Sequence, residues 1–319
     1  MNPYTANVEI TTKCNYHCMH CFGRDLPDLD MSLTHFDMAL DQLQRAQIFY
    51  YNITGGEPLL HPQWHAVVSR LNARRLCYCL STNGSLLNDT SVRYLKSNRV
   101  NHIKLSLDGP PHIHNVIRQN RHAFNDLAKC TRSLIKHQVP FVFTITLMNT
   151  NFRHVSATVR HAIDLGASAI RIGFYKHFNA RDEPVTPLFG QDLRAAVSQI
   201  EGIIARNLST IPIQFDASLA LSLRNRSSCG AGNSRLQIDT RGNVFPCKYL
   251  PIALGNLFHT DLQRLLTHPI LTALDKFPTV IKVGCSSCSF NHVCSGGCPA
   301  FIFDRYSNLL KKDPRCWIS

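Results

Sequence analysis

The chain has 319 residues, 44% of them apolar and 17% charged, with 13 cysteines and a formal charge of +13. At this length roughly three quarters of the unfolded surface can be buried, so the core needs no covalent staples and the composition excludes a disordered chain. No apolar run approaches the ~18 residues of a membrane helix, and MNPYTANVEITTKC at the N-terminus has no secretion-signal core. Many cysteines without such a signal point to a reduced, cytoplasmic protein whose thiols hold metal. Lys and Arg are spread along the chain with no block of five like charges, which reads as a solvated surface, not a nucleic-acid or membrane footprint.

From residue 6 to about 173, short apolar runs alternate with longer amphipathic ones. The pattern predicts strands at 7–11, 48–54, 76–82, 101–107, 141–147 and 169–173. Helices are expected between them at 33–46, 62–73, 89–97, 122–137 and 153–165, the last ending at a C-capping Gly166. Six βα units imply an α/β fold around a parallel sheet. ITTK and FVFTITLM lack strict polar alternation and read as strands buried on both faces. A linker, DEPVTPLFG, precedes a helix near 191–206, and beyond about 210 the chain is loop-rich and cysteine-rich. No fixed-period repeat is visible.

The cysteines are not scattered. Cys14, Cys18 and Cys21 follow the first predicted strand, where the loops of parallel sheets build their sites. Three thiolates within eight residues suit an iron–sulfur cluster with one iron left open. A zinc loop completed by His17, His20 or a distant residue is the plainer alternative. Thr54-Gly55-Gly56-Glu57-Pro58 ends the second strand, Ser81-Thr82-Asn83-Gly84 the third, and Ser106-Leu107-Asp108-Gly109-Pro110 the fourth, with Arg118 shortly after. Each motif alone is a common turn; their order at successive strand ends is specific.

That order resembles the radical S-adenosylmethionine (SAM) superfamily, and the likeness covers nearly the whole chain. The resemblance implies a partial (β/α)6 barrel with a [4Fe–4S] cluster on Cys14, Cys18 and Cys21. It further implies SAM contacts from Gly55, Gly56, Glu57, Ser81, Ser106 and Arg118. Two glycines let backbone approach a ligand closely, and a carboxylate pairs with the methionine ammonium. Reductive cleavage of SAM would then yield a 5′-deoxyadenosyl radical that abstracts hydrogen from an unactivated C–H bond.

The second group reads Cys229-x17-Cys247, then Cys285-x2-Cys288-x5-Cys294-x3-Cys298-x17-Cys316. It resembles the SPASM domain of peptide- and protein-modifying radical SAM enzymes, with LQIDTRGNVFPC as a hairpin turning at Gly242. The resemblance implies one auxiliary [4Fe–4S] cluster on Cys285, Cys288, Cys294 and Cys316. A second would use Cys229, Cys247 and Cys298, its fourth ligand not evident. Paired zinc sites are the alternative here, with a ferredoxin-like reading of Cys294 to Pro299 beside it. With ten ligated thiolates and three such cores, the chain would carry a charge of about +9.

The implied organisation is a barrel over 1–185, a helical bridge over 186–225 and a SPASM domain over 226–319. The implied function is oxidation, cross-linking or other modification of a side chain in a ribosomally made peptide or protein. The implied partners are a flavodoxin- or ferredoxin-type electron donor and a separate leader-peptide recognition protein, since only 13 residues precede Cys14. Lys248 stands where sulfatase-maturing relatives carry an aspartate base, which argues against that activity. The alternative is an epimerase or dehydrogenase of a small molecule: a sugar, an aminocyclitol or a tetrapyrrole. From another class, a basic metal-binding protein docking nucleic acid would bind salt-dependently without SAM. Of the spare thiols Cys77, Cys79 and Cys130, Cys79 is the candidate hydrogen donor. All three also suit plain buried positions.

Overall fold

The computed structural model describes residues 3–23, 26–176, 185–207, 211–215, 229–290 and 294–318. Its first half runs β1 (Thr5–Glu9), α1 (Leu33–Arg45), β2 (Tyr50–Thr54), α2 (Trp64–Ala73), β3 (Cys77–Thr82) and α3 (Asp89–Ser97). There follow β4 (His102–Ser106), α4 (Pro111–Ile117), α5 (Ala123–Lys136), β5 (Phe141–Leu147), α6 (Val155–Asp164) and β6 (Ala169–Phe174). The six expected strands are present, each within two or three residues of its predicted ends. Capping explains several helix starts: Ser32 accepts from the His35 N–H at α1, and Asn88 forms a capping box with Ser91 at α3. The short helix α4 was not expected, and it is the element that delivers Arg118 at its C-cap.

Strands β1 to β6 pair in parallel in chain order, forming the partial barrel. After α7 (Gly190–Asn207), β7 (Ile213–Phe215) extends the sheet in parallel beside β6. The cysteine-rich region joins the opposite edge, with β8 (Arg235–Ile238) parallel to β1 and β9 (Asn243–Phe245) antiparallel to β8. Gly242 turns this hairpin at φ +83°, where a Cβ would strike the Phe258 ring. β10 (Gly255–Asn256), α8 (Leu262–Leu265), α9 (Pro269–Lys276) and α10 (Pro299–Tyr306) complete the chain. One sheet of ten strands therefore spans the predicted boundaries. Residues 208–210 and 216–225 of the predicted bridge lie outside the described residues.

The barrel strands differ from the two-sided burial expected of them. Their outward residues, among them Val8, Ile53, Leu80, Leu105, Ile145 and Ile170, form one apolar core with the helices. Most inward positions are polar, among them Asn7, Asn52, Ser81, Lys104, Thr144 and Arg171. β5 comes nearest to that expectation, with five of its seven residues buried. A polar lumen of this kind is a space for ligand rather than for packing. Among the described residues, no helix is long and apolar enough to cross a membrane.

Candidate active site

The cysteine loop is held by its neighbours on three sides. The Gly56 N–H donates to Thr11 O at 2.8 Å, and the Glu57 N–H to Lys13 O at 2.7 Å. Asn83 Nδ2 donates to Asn15 Oδ1 at 2.9 Å, and the Met19 N–H to Ile117 O at 2.8 Å. The loops after β2 and β3 and the end of α4 thus fix Cys14, Cys18 and Cys21 over the C-terminal end of the barrel. All three line one cavity of about 530 Å³ together with Gly55, Gly56, Ser81, Ser106 and Arg118. The residues predicted from separate motifs meet in a single space.

Two candidates do not line it. Glu57 is fully buried, and its carboxylate turns toward the β3 loop. Its Oε1 accepts from Thr82 Oγ1 at 2.8 Å and from the Leu59 N–H at 3.2 Å, and its Oε2 accepts from the Asn83 N–H at 2.8 Å. Burial pushes this carboxyl up to about 7, against the pull of those three donors. Cys79 is also fully buried, and its thiol donates to Asn52 Oδ1 at 3.1 Å in the lumen wall. Cys77 is exposed and Cys130 buried.

An ion pair closes the cavity behind the cysteines. Arg118 Nη2 lies 2.6 Å from Asp108 Oδ2, and Arg118 Nη1 lies 3.5 Å from Cys18 Sγ. Burial pushes the Asp108 carboxyl up, but Arg118, His20 and His114 outweigh it, helped by the Thr146 N–H, and hold it below its ordinary value. His20 stays neutral, its ring drawn down to about 4 by burial. Arg118 Nε and His20 Nδ1 are buried without a hydrogen-bond partner, so this wall still has polar capacity for a ligand.

The second cysteine group lies around two cavities. Cys285, Cys288, Cys294 and Cys316 line one small cavity of about 60 Å³, walled by Phe290, Trp317 and Ile318. Cys229, Cys247 and Cys298 line another of about 670 Å³ that opens into the barrel lumen. Asp313 joins the two: its Oδ2 accepts from the Cys298 N–H at 2.8 Å, and its backbone carbonyl from the Cys316 N–H at 2.9 Å. Among the described residues, no three His, Cys, Asp or Glu side chains converge as they would on a single metal ion. Sets of three and four cysteines with no histidine among them are donors that iron–sulfur clusters take. The donor sets fit clusters. Burial pushes the Cys14 thiol up to about 11 and Cys229 up to about 12, so loading metal here releases protons.

Sequence reasoning missed Thr146, Tyr175, Lys176 and Tyr249, which also line the cofactor cavity. Three of them lie at or just past the ends of β5 and β6, so the strand-end rule that found Ser81 and Ser106 could have found them. Tyr249 follows Cys247 by two residues on the incoming hairpin. Lys248, noted only as a departure, lines the cavity too and pairs with Glu9 at 3.6 Å.

Thiol triads and a quartet, set beside a ligand cavity at the end of a parallel βα sheet, suit an iron–sulfur enzyme, and the resemblance makes SAM its ligand. Comparison with known proteins agrees. Residues 8–162 match the radical SAM superfamily, and residues 229–294 match SPASM, an iron–sulfur cluster-binding domain. The chain belongs to the radical SAM superfamily, in its SPASM-domain branch, and its cofactors are SAM and [4Fe–4S] clusters. It is 24% identical to an AdoMet-dependent heme synthase of Methanosarcina barkeri, over 97% of this chain and 94% of that protein. It is 25% identical to the antilisterial bacteriocin subtilosin biosynthesis protein AlbA of Bacillus subtilis, over 85% of this chain but 61% of AlbA. Streptococcus suis SuiB bound to S-adenosylmethionine shares the fold, with a TM-score of 0.80 at 16% identity, covering 99% of this chain and 77% of SuiB.

Proposed function

We propose that this enzyme modifies a side chain of a ribosomally made peptide or protein by SAM-dependent radical chemistry. In this reading residues 1–185 bind SAM, 186–225 bridge, and 226–319 carry two auxiliary clusters. Cys14, Cys18 and Cys21 would hold the SAM cluster, and Gly55, Gly56, Ser81, Ser106 and Arg118 would contact SAM. Glu57 would act as a positioning residue, tying the loop after β2 to that after β3. The other seven cysteines would hold the auxiliary clusters, Cys285, Cys288, Cys294 and Cys316 as one set and Cys229, Cys247 and Cys298 as the other. When bound, the cofactors supply a carbon-centred radical that takes hydrogen from the substrate. The protein's own task is to position that substrate and keep water out. A flavodoxin- or ferredoxin-type protein would supply the electron.

One observation carries the reading. The cavity holding Cys14, Cys18 and Cys21 shares Thr146, Lys176 and Tyr249 with the cavity holding Cys229, Cys247 and Cys298. A substrate in the shared region faces both cysteine groups. The likeness to AlbA supports a peptide in that place.

The protein reconstituted with iron and sulfide without oxygen is expected to form 5′-deoxyadenosine from SAM when reduced. Cys14→Ala should lower this by about a hundredfold or more. Failure of the wild-type protein with a full complement of iron would overturn the reading. A small-molecule substrate is the second reading, favoured by the end-to-end match to the heme synthase. A mass change in a peptide encoded beside the gene supports the first, and turnover of a tetrapyrrole the second.

A further inference from the structure

Below the cofactor cavity the barrel lumen holds cations that none of the roles above uses. Arg171 in β6 faces inward with its register partners Thr144 and Gln214, while its neighbours Ile170 and Ile172 lie in the core. It is exposed to the 670 Å³ cavity, and among the described residues its guanidinium has neither an ion pair nor a hydrogen bond. Lys104 of β4 enters the same lumen beside the Cys79 thiol, within electrostatic reach of Arg171 and Arg235. Burial draws the Lys104 ammonium below its ordinary value, and those two arginines add to the effect.

Among the described residues of the lumen, no carboxylate balances this charge. The other titratable groups near Lys104 and Arg171 are Tyr50 of β2, Cys79 of β3 and His102 of β4. Burial draws His102 down to about 4, so it stays neutral. No Asp or Glu is among the described residues lining the 670 Å³ cavity. The Cys229, Cys247 and Cys298 site does not account for Arg171 either. Lys176 acts on Cys229 and Cys247, and Arg235 on Cys247, so two other cations already serve those thiols.

Like charges facing one cavity repel each other and favour an anion between them. A guanidinium takes a carboxylate through two parallel hydrogen bonds, which fixes orientation as well as charge. We propose that Arg171, backed by Lys104, forms a subsite for a substrate carboxylate, an Asp or Glu side chain close in sequence to the residue that is modified. This deepens the peptide reading and rests on it.

The test titrates the cluster-loaded, SAM-bound protein with three small probes. N-acetyl-glutamate N-methylamide carries a side-chain carboxylate, N-acetyl-glutamine N-methylamide is its neutral match, and N-acetyl-alanine carries only a terminal carboxylate. The glutamate probe should bind with a Kd of about a millimolar and weaken by about tenfold in Arg171→Gln. Arg171→Lys should fall between, keeping the charge without the fork. Preference for N-acetyl-alanine, lost in the same variant, would keep the carboxylate subsite but assign it to a chain terminus. Equal binding of the glutamate and glutamine probes, or an affinity unmoved by Arg171→Gln, would overturn the subsite. Reductive SAM cleavage by the wild-type protein is followed alongside. Its absence strikes the radical reading, whereas cleavage without carboxylate discrimination strikes only the subsite.

Discussion

Glu57 shows how one buried carboxylate can organise a site without lining it. Three donors converge on it, from Thr82, Asn83 and Leu59, so it joins the ends of β2 and β3. The energetic consequence is a pH dependence of known sign. Its carboxyl rises from 4.5 to about 7 on folding, so the native state holds this proton more tightly than the unfolded chain. The stability it contributes is complete below pH 4.5 and is lost as pH rises to about 7, a swing of about 3 kcal/mol. Glu57→Gln should abolish that slope. It should also destabilise by about 1–3 kcal/mol at pH 5, because an amide NH2 would face one of three existing donors. Denaturant midpoints at pH 5 and pH 8 for both proteins check this, and identical pH dependence in the two would contradict it. The GGE motif placed Glu57 at the right strand end in the sequence. Which way its carboxylate turns depends on Thr82 and Asn83, 25 and 26 residues later, and no local pattern carries that.

At the scale of elements, the loop after β2 and the cysteine loop after β1 touch so closely that side chains are excluded between them. A Cβ on Gly56 would stand 2.3 Å from Lys13 O and 2.5 Å from Thr12 O, both backbone atoms that cannot swing aside. Gly56→Ala should therefore push the two loops apart, costing about 1–3 kcal/mol and weakening SAM binding. Gly23→Ala is the control, since its added Cβ meets only Leu26 Cδ1 at an ordinary 3.5 Å. Equal SAM affinity in the two variants would show that the close approach does not matter. Helix and strand order was legible because outward apolar positions recur at the right periods, as in α3 at Asp89–Ser97. The polar lumen was not. Inward Asn52, Lys104 and Arg171 each sit between apolar neighbours, and short runs such as HIKLS do not announce which face meets helices. The pairing of β8 with β1 was equally hidden, because more than 220 residues separate Thr5 from its partner Arg235.

The whole molecule combines two regions with different sources of order. The barrel has a continuous apolar core from β1 through α7, enough to fold on burial alone. The described residues from 277 to 318 are different: apart from α10 they have no helix or strand, and Ile281, Val283 and Leu310 lie exposed. Their cysteines surround the small cavity of Cys285, Cys288, Cys294 and Cys316. If that quartet holds a cluster, much of the order there should come from the metal, because ligand sets absent from an unfolded chain turn metal affinity into folding energy. The hairpin with Cys247 is tied to the sheet through β8 and does not depend on that quartet. Three clusters of four irons require about twelve irons per wild-type chain, and Cys285→Ala with Cys288→Ala should leave about eight. Amide exchange in the double variant should quicken across 279–318 and stay slow in β1 to β6 and in β8. Asp313 sets where that boundary falls, since it binds the Cys298 and Cys316 N–H groups alike. Loosening that spread past Asp313 into α10 and β8 would mean that the two auxiliary sites fold as one unit. Exchange unchanged from 279 to 318, with four irons gone, would mean that packing of Phe277, Phe301 and the buried Asp313–Arg315 pair orders this region without the metal.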